Sequence, residues 1–173
     1  MSIESKFPFE AHVVLFEPEI PQNTGNIART CAALGCPLHL IEPLGFSLED
    51  KYVKRAGMDY WQQVTVHRYT GLDQFFQLNE DGQFYLLSKK VNRFYHEAKF
   101  EGKAFLMFGR ESLGLPEELI KKHFHRCFRI PMLPTARSLN LSNAVAITLY
   151  EAYRQNGFSE MLTTVPGQGA ILG

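Results

Sequence analysis

The sequence predicts an α/β protein built on a mostly parallel sheet of about six strands, with helices on both faces. Three observations carry that prediction. Short apolar runs recur along the chain, and the run Ala104–Phe108 is uniformly apolar, as strands buried on both faces are. Segments with helical apolar spacing separate these runs almost without exception. Glycine, proline and polar clusters mark the joins.

Ala11–Phe16 reads as the first strand, and the loop Glu17–Gly25 follows, broken by Pro18, Pro21 and Gly25. A helix is predicted from about Asn26 to Leu34, with Ile27, Cys31 and Leu34 at helical spacing and Gly35 as its stop. Leu38–Ile41 is the second strand, and Pro43–Gly45 a turn. Leu48–Arg55 predicts a short helix exposing Lys51, Lys54 and Arg55, before a third strand at Val64–Arg68. Leu72–Leu78 is an amphipathic helix carrying Phe75 and Phe76. The fourth strand, Phe84–Leu87, runs into the polar, basic segment Ser88–Arg93.

The fifth strand, Ala104–Phe108, leads into the loop Gly109–Pro116, and Pro116 opens a helix to about Phe124. Cys127–Ile130 is the sixth strand, closed by Pro131, which lacks a ladder N–H. A polar loop holding Pro134, Thr135, Arg137 and Ser138 precedes a helix from about Leu141 to Gln155. Its apolar face is Leu141, Ala144, Val145, Thr148, Leu149 and Ala152. Asn140 or Ser142 can cap it, and Gly157 suits a left-handed stop. Residues 1–157 are expected to form a single domain, and the aperiodic segment 158–173 a tail that is loose or docks on a partner.

Composition narrows the function. With 173 residues, 45% hydrophobic and 21% charged, the chain is an ordinary soluble globular one. Lys+Arg and Asp+Glu balance at 18 each, so nucleic-acid binding would have to come from local patches. The three cysteines, Cys31, Cys36 and Cys127, lack C-x-x-C spacing and read as free thiols in a reducing cytosol rather than zinc ligands or disulfides. No apolar run reaches the ~20 residues of a membrane span, and the N-terminus lacks the order of a signal peptide. The expected location is cytoplasmic, with no membrane partner.

In a parallel sheet, ligands sit beyond the C-terminal strand ends. Four loops there are polar or glycine-rich: Glu17–Gly25, Ser88–Arg93, Gly109–Gly114 and Pro131–Asn140. No G-x-G-x-x-G follows the first strand. Gly109 and Gly114 have the P-loop spacing, but Leu115-Pro116 replaces its Lys-Ser/Thr. The histidines are scattered, with His123 and His125 the only near neighbours, which reads as a solvated edge and not a metal site. Basic residues gather as Lys121, Lys122, Arg126 and Arg129, and as Lys89, Lys90 and Arg93 ahead of Phe94 and Tyr95. Such groups on ligand-side loops suit RNA or phosphate. Arg29, six residues after Asn23, is placed so that both can face the first loop, Asn23 from before the helix. Glu111, next to Arg110, reads locally as half of a loop-fixing Arg–Glu pair.

Three blocks together resemble the SPOUT superfamily of RNA methyltransferases in its 2′-O-ribose branch: Pro18–Thr30 (PEIPQNTGNIART), Leu106–Pro116 (LMFGRESLGLP) and Arg129–Arg154. With Leu40–Phe46 (LIEPLGF) and Arg137–Asn143 (RSLNLSN), the wording is similar to the subgroup that methylates the wobble nucleotide of tRNA, a cytidine or uridine at position 34. The resemblance covers most of residues 11–156. It implies a deep C-terminal trefoil knot, a feature almost absent among folds, and S-adenosylmethionine as methyl donor. By motif position, Leu87, Gly109, Ile130 and Ser138 are implied to line the donor's pocket, largely through backbone groups. Asn23, Arg29, Glu111 and Asn140 are implied to surround the reaction.

The same resemblance implies a homodimer with the pocket beside the subunit boundary, and the last helix, whose Tyr150 and Tyr153 would otherwise stay partly exposed, is the expected dimer element. It also implies the tRNA anticodon arm as partner and no metal. The family gives proton removal to the arginine matched by Arg29. A guanidinium of pKa above ~12 is a reluctant base, so a phosphate-binding and alkoxide-stabilising role is expected instead. Two departures stand out: Arg110 replaces a common proline, and Ser88–Val91 is bulkier and more basic than the usual run. The alternatives are the same chemistry on another tRNA or ribosomal RNA nucleotide, and a non-catalytic RNA-binding protein.

Overall fold

A computed structural model describes residues 9–49, 51, 55, 60–158 and 161. Six strands form one sheet: β1 (Glu10–Phe16), β2 (Leu38–Ile41), β3 (Val66–Tyr69), β4 (Gln83–Leu87), β5 (Lys103–Phe108) and β6 (Cys127–Phe128). Their order is β3-β2-β1-β5-β4-β6, and every pairing is parallel. Four α-helices are described: α1 (Pro21–Leu34), α2 (Leu72–Leu78), α3 (Glu117–Lys122) and α4 (Leu141–Gln155).

The strands alternate their side chains between two cores. Ala11, Val13 and Leu15 of β1 face the same way as Leu38 and Leu40 of β2 and Leu106 of β5. That face is covered by Ile27, Ala28 and Cys31 of α1 and by Val145, Leu149 and Ala152 of α4, all fully buried or nearly so. On the other face, Val14, Ile41, Leu86, Phe105 and Met107 pack against Phe75 of α2 and Leu119 and Ile120 of α3. Each such side chain contributes about 1.5–3 kcal/mol on burial. Helices thus cover both faces, as the apolar pattern predicts.

The boundaries differ from the sequence reading in instructive places. Helix α1 begins at Pro21, not Asn26, so Asn23, Thr24 and Gly25 are buried helical residues and not loop. Pro21 sits at the start, where its missing N–H costs nothing. Strand β6 stops at Phe128. Beyond it Arg129 makes a single parallel bridge to Phe94, and a 3-10 turn at Phe124–Arg126 separates α3 from β6. Asn140 caps α4 through its side-chain oxygen, and Gly157 takes φ 71° just past the helix end. Of the helix expected over Leu48–Arg55, residues 50 and 52–54 lie outside the described residues, while Lys51 and Arg55 are exposed. The tail likewise lies outside them except for residues 158 and 161.

The histidines are less scattered than their spacing suggests. Across β1 and β2, His12 Nδ1 lies 2.9 Å from His39 Nε2, and His39 Nδ1 lies 2.8 Å from the Tyr69 hydroxyl, to which Asn79 donates. His67 of β3 stacks on His39 with ring centroids 4.7 Å apart. Burial holds His39 neutral, with its pKa lowered to about 3. All three cysteines are buried free thiols. Among the described residues no helix is long and apolar enough to cross a membrane, and no group of three or more His, Cys, Asp or Glu could hold a metal.

Sheet order places the site. After β1 the chain leaves toward β2; after β5 it leaves the other way, past β4 to β6. Crossovers departing in opposite directions open a crevice beyond the C-terminal ends of β1 and β5.

Candidate active site

Three loops and one helix end close around this crevice. The loop after β5 is pinched shut by hydrogen bonds between Arg110 and Gly114, 2.8 Å from the Gly114 N–H and 3.3 Å from the Arg110 N–H. Gly114 takes φ +69°. A Cβ on Gly109 would lie 2.1 Å from the Gly114 carbonyl carbon and 2.2 Å from the Leu115 nitrogen. Only glycine fits there, because both neighbours are backbone.

This loop is locked to the loop after β1 by two carboxylates that cross. Glu111 accepts from the backbone N–H groups of Glu19 (2.8 Å) and Ile20 (3.1 Å) and from the Asn23 side-chain amide (3.2 Å). In return, Glu19 accepts from the Ser112 N–H (2.9 Å) and hydroxyl (2.7 Å), bonds that hold its carboxyl below the usual range. Glu111 therefore supplies the N-terminal cap that α1 does not find in its own side chains, and its charge suits the helix dipole. Arg110 is not its partner. The Arg110 guanidinium lies 5.3 Å over the Phe16 ring, with Nε 3.2 Å from Glu17.

Asparagines carry the network on to α4. Asn140 donates from Nδ2 to Asn23 Oδ1 at 2.9 Å, while its own oxygen accepts from the Ser142 N–H (2.9 Å) and hydroxyl (2.5 Å). An ionised Glu111 can only accept, so Asn23 must turn its amide toward it and its oxygen toward Asn140. The orientation of all three side chains is set by one charge.

The open cleft has a volume of about 340 Å³, within the range of small-molecule and cofactor sites. Leu87, Gly109, Ile130 and Ser138 line it, and so do Asn23, Glu111 and Asn140. Seven of the eight residues singled out from the sequence therefore meet at one place. Arg29 does not. It lies on the exposed side of α1, its guanidinium 5.1 Å above the Tyr60 ring. Six helical residues separate it from Asn23, a rotation of about 120° and a rise of about 9 Å, so the two cannot share a face. The rim is apolar and exposed at Ile20 (42%) and Leu113 (65%). Tyr150 of α4 is also exposed, whereas Tyr153 is packed, its hydroxyl donating to the Leu34 carbonyl at 3.0 Å and its ring edge-on to Phe9.

Sequence reading missed Glu19 and Ser112. They lie 93 residues apart in two separate sequence blocks, so no local signal could have paired them. Lys89, grouped in the sequence with Lys90 and Arg93, donates its ammonium to the Arg137 carbonyl at 3.1 Å, tying the β4 loop to the loop that carries Ser138.

A cofactor-sized cleft at the reversal point of an all-parallel sheet, closed by a glycine-dependent loop, defines a ligand-binding α/β protein. Comparison with known proteins makes this specific. The model of the SpoU rRNA Methylase family matches residues 10–150, and the chain belongs to that family. A protein of Geobacillus stearothermophilus named putative tRNA (cytidine(34)-2′-O)-methyltransferase is 55% identical over 150 residues, covering 85% of this chain and 96% of its own. A crystal structure of a putative RNA methyltransferase from Bacillus anthracis superposes with TM-score 0.83 at 49% identity, covering 90% of this chain and 99% of that one. A structure reported as "Structural insights into the 2-OH methylation of C/U34 on tRNA" gives TM-score 0.83 at 45% identity, with 87% and 99% covered.

Proposed function

We propose that this chain transfers a methyl group from S-adenosylmethionine to the ribose 2′-hydroxyl of the tRNA wobble nucleotide, a cytidine or modified uridine at position 34. The observation that carries the reading is the convergence of Asn23, Glu111 and Asn140 with Leu87, Gly109, Ile130 and Ser138 on one cleft. Relatives and solved structures with closely similar sequences bear names of that activity.

The cleft fits the donor. Gly109 brings bare backbone to the wall, Leu87 and Ile130 give apolar contact, and Ser138 offers a hydroxyl. S-adenosylmethionine supplies an electrophilic methyl on sulfur. The protein's task is to hold the ribose hydroxyl in line, help it lose a proton and keep water out. Asn140, fixed by Asn23 and Glu111, orients the ribose side of the cleft. Arg29, exposed and off the cleft of its own chain, stabilises the developing alkoxide only across the subunit boundary of the homodimer proposed below, where it also meets an RNA phosphate.

The basic groups around Lys89 and Lys121 hold the anticodon arm, so affinity falls steeply with salt. The exposed apolar rim and Tyr150 support a homodimer with the cleft at the subunit boundary. Residues 1–157 are the catalytic domain, with the segment from Arg129 onward forming a C-terminal trefoil knot and 158–173 a tail. Such an enzyme works in the cytoplasm.

The test is transfer of labelled methyl from S-adenosylmethionine to total tRNA by wild type and by Arg29→Ala. Wild type should label tRNA and the variant should not, with its thermal stability unchanged. Equal labelling by both would remove Arg29 from the mechanism, and none by wild type would reject the activity.

A further inference from the structure

A second hollow, of about 460 Å³, opens at the β6 edge of the sheet. It shares a segment with the cleft: Ser88–Lys90 line the cleft, while Asn92 and Arg93 line the hollow. Two residues of chain span at most about 7 Å, so the two sites are neighbours on one strip of surface.

The hollow's walls are chemically unlike an ordinary surface dip. Phe124 is 64% exposed and stacks on no ring among the described residues, leaving a broad apolar face to solvent. Beside it the exposed His125 ring and the exposed Asn92 amide make no hydrogen bond among the described residues. Glu97 uses one carboxylate oxygen on the Phe94 N–H, at 2.6 Å, and keeps the other. Arg93 is fixed flat as a wall, its guanidinium 4.5 Å over the Phe128 ring and donating to the His125 carbonyl.

The surroundings are basic. Nearby acids Glu117 and Glu118 are taken up by Lys90 and Lys121, while Lys122 makes no ion pair among the described residues. An open aromatic face, an amide that both donates and accepts, a spare carboxylate oxygen and unneutralised cations match what a protein uses to hold an unstacked base. Stacking supplies the affinity, edge hydrogen bonds the orientation, and cations the adjoining phosphate.

We propose that this hollow binds one unpaired nucleobase of the RNA substrate, belonging to a nucleotide close to the one whose ribose enters the cleft. The occupant as a base rests on the hollow itself; its closeness to the methylated nucleotide rests on the function proposed above. Phe124 is the stacking platform, and Asn92 and Glu97 read the base edge.

The test is equilibrium binding of a fluorescent anticodon stem-loop, made abasic at one loop position at a time, to wild type, Phe124→Ala, Phe124→Trp and Asn92→Ala. At one position the missing base should weaken wild-type binding about 5- to 150-fold, the range of a single base–aromatic stack. That penalty should vanish in Phe124→Ala, return in Phe124→Trp and shrink in Asn92→Ala. Equal penalties in wild type and Phe124→Ala at every position would overturn the assignment, and so would the absence of wild-type binding. Methyl transfer is scored on the same stem-loops. Binding with the expected coupling but no transfer rejects the proposed reaction and leaves the hollow standing; transfer without the coupling does the reverse.

Discussion

Replacing Glu111 by glutamine changes one atom and should disable the site. Three donors converge on its two oxygens: the Glu19 N–H on one, and the Ile20 N–H with the Asn23 amide on the other. A glutamine has a single acceptor oxygen, so either orientation turns its NH₂ against at least one donor. The loss is a charge-assisted hydrogen bond or two, about 1.5–3 kcal/mol each, reduced toward about 1–3 kcal/mol in total because Ile20 is exposed to water. For a chain of this size that corresponds to a melting temperature lower by roughly 3–10 °C. Glu111→Ala, which lets water reach the same donors, should be no worse. Released from Glu111, Asn23 can turn its amide and abandon Asn140, so methyl transfer should fall at least about tenfold, the equivalent of ~1.4 kcal/mol of positioning. Thermal unfolding by circular dichroism and single-turnover transfer measure the two effects. A Glu111→Gln protein with wild-type melting and rate would refute the claim that charge on this residue sets the network.

Three further outcomes follow from the structure. Asn140→Asp keeps the oxygen that caps α4 but loses the donor to Asn23, so its melting temperature should stay near wild type while transfer drops; Asn140→Ala should lose about 1 kcal/mol of stability as well. Gly109→Ala places a methyl against the Gly114 and Leu115 backbone, and calorimetry should find S-adenosylmethionine binding abolished, with stability lower by about 1–3 kcal/mol. His39, lowered to about 3 by burial and then by neighbouring positive charges, binds fewer protons folded than unfolded below its ordinary value. Stability is therefore complete above about pH 6.5 and is lost as pH falls below it, by about 2 kcal/mol at about pH 5. Urea unfolding should show this, and a midpoint constant between about pH 7 and pH 5 would contradict it.

The parts of the molecule that depend on local pattern could be read directly from sequence. Ala104–Phe108 had to be a central strand because nothing in it tolerates water, and Asn140 stood where a capping side chain belongs. The start of α1 was misplaced because Pro21 and Gly25 signal a break locally; the cap that rescues the helix arrives from Glu111, in another loop. The Glu19–Ser112 bonds and the His12–His39–Tyr69 chain are products of sheet order, which brings distant residues together with no trace in their spacing. Arg29 shows the opposite case. Its motif is clear in the sequence, but helical geometry turns it away from the residues beside which it is written.

The central claim is best tested by locating the methyl group itself. Unmodified tRNA is incubated with the wild-type chain and S-adenosylmethionine, then digested and analysed by mass spectrometry for ribose-methylated dinucleotides that resist cleavage. The account predicts a single new 2′-O-methyl at nucleotide 34, absent when Arg29 is alanine. A methyl on a base, or on any other ribose, would contradict it.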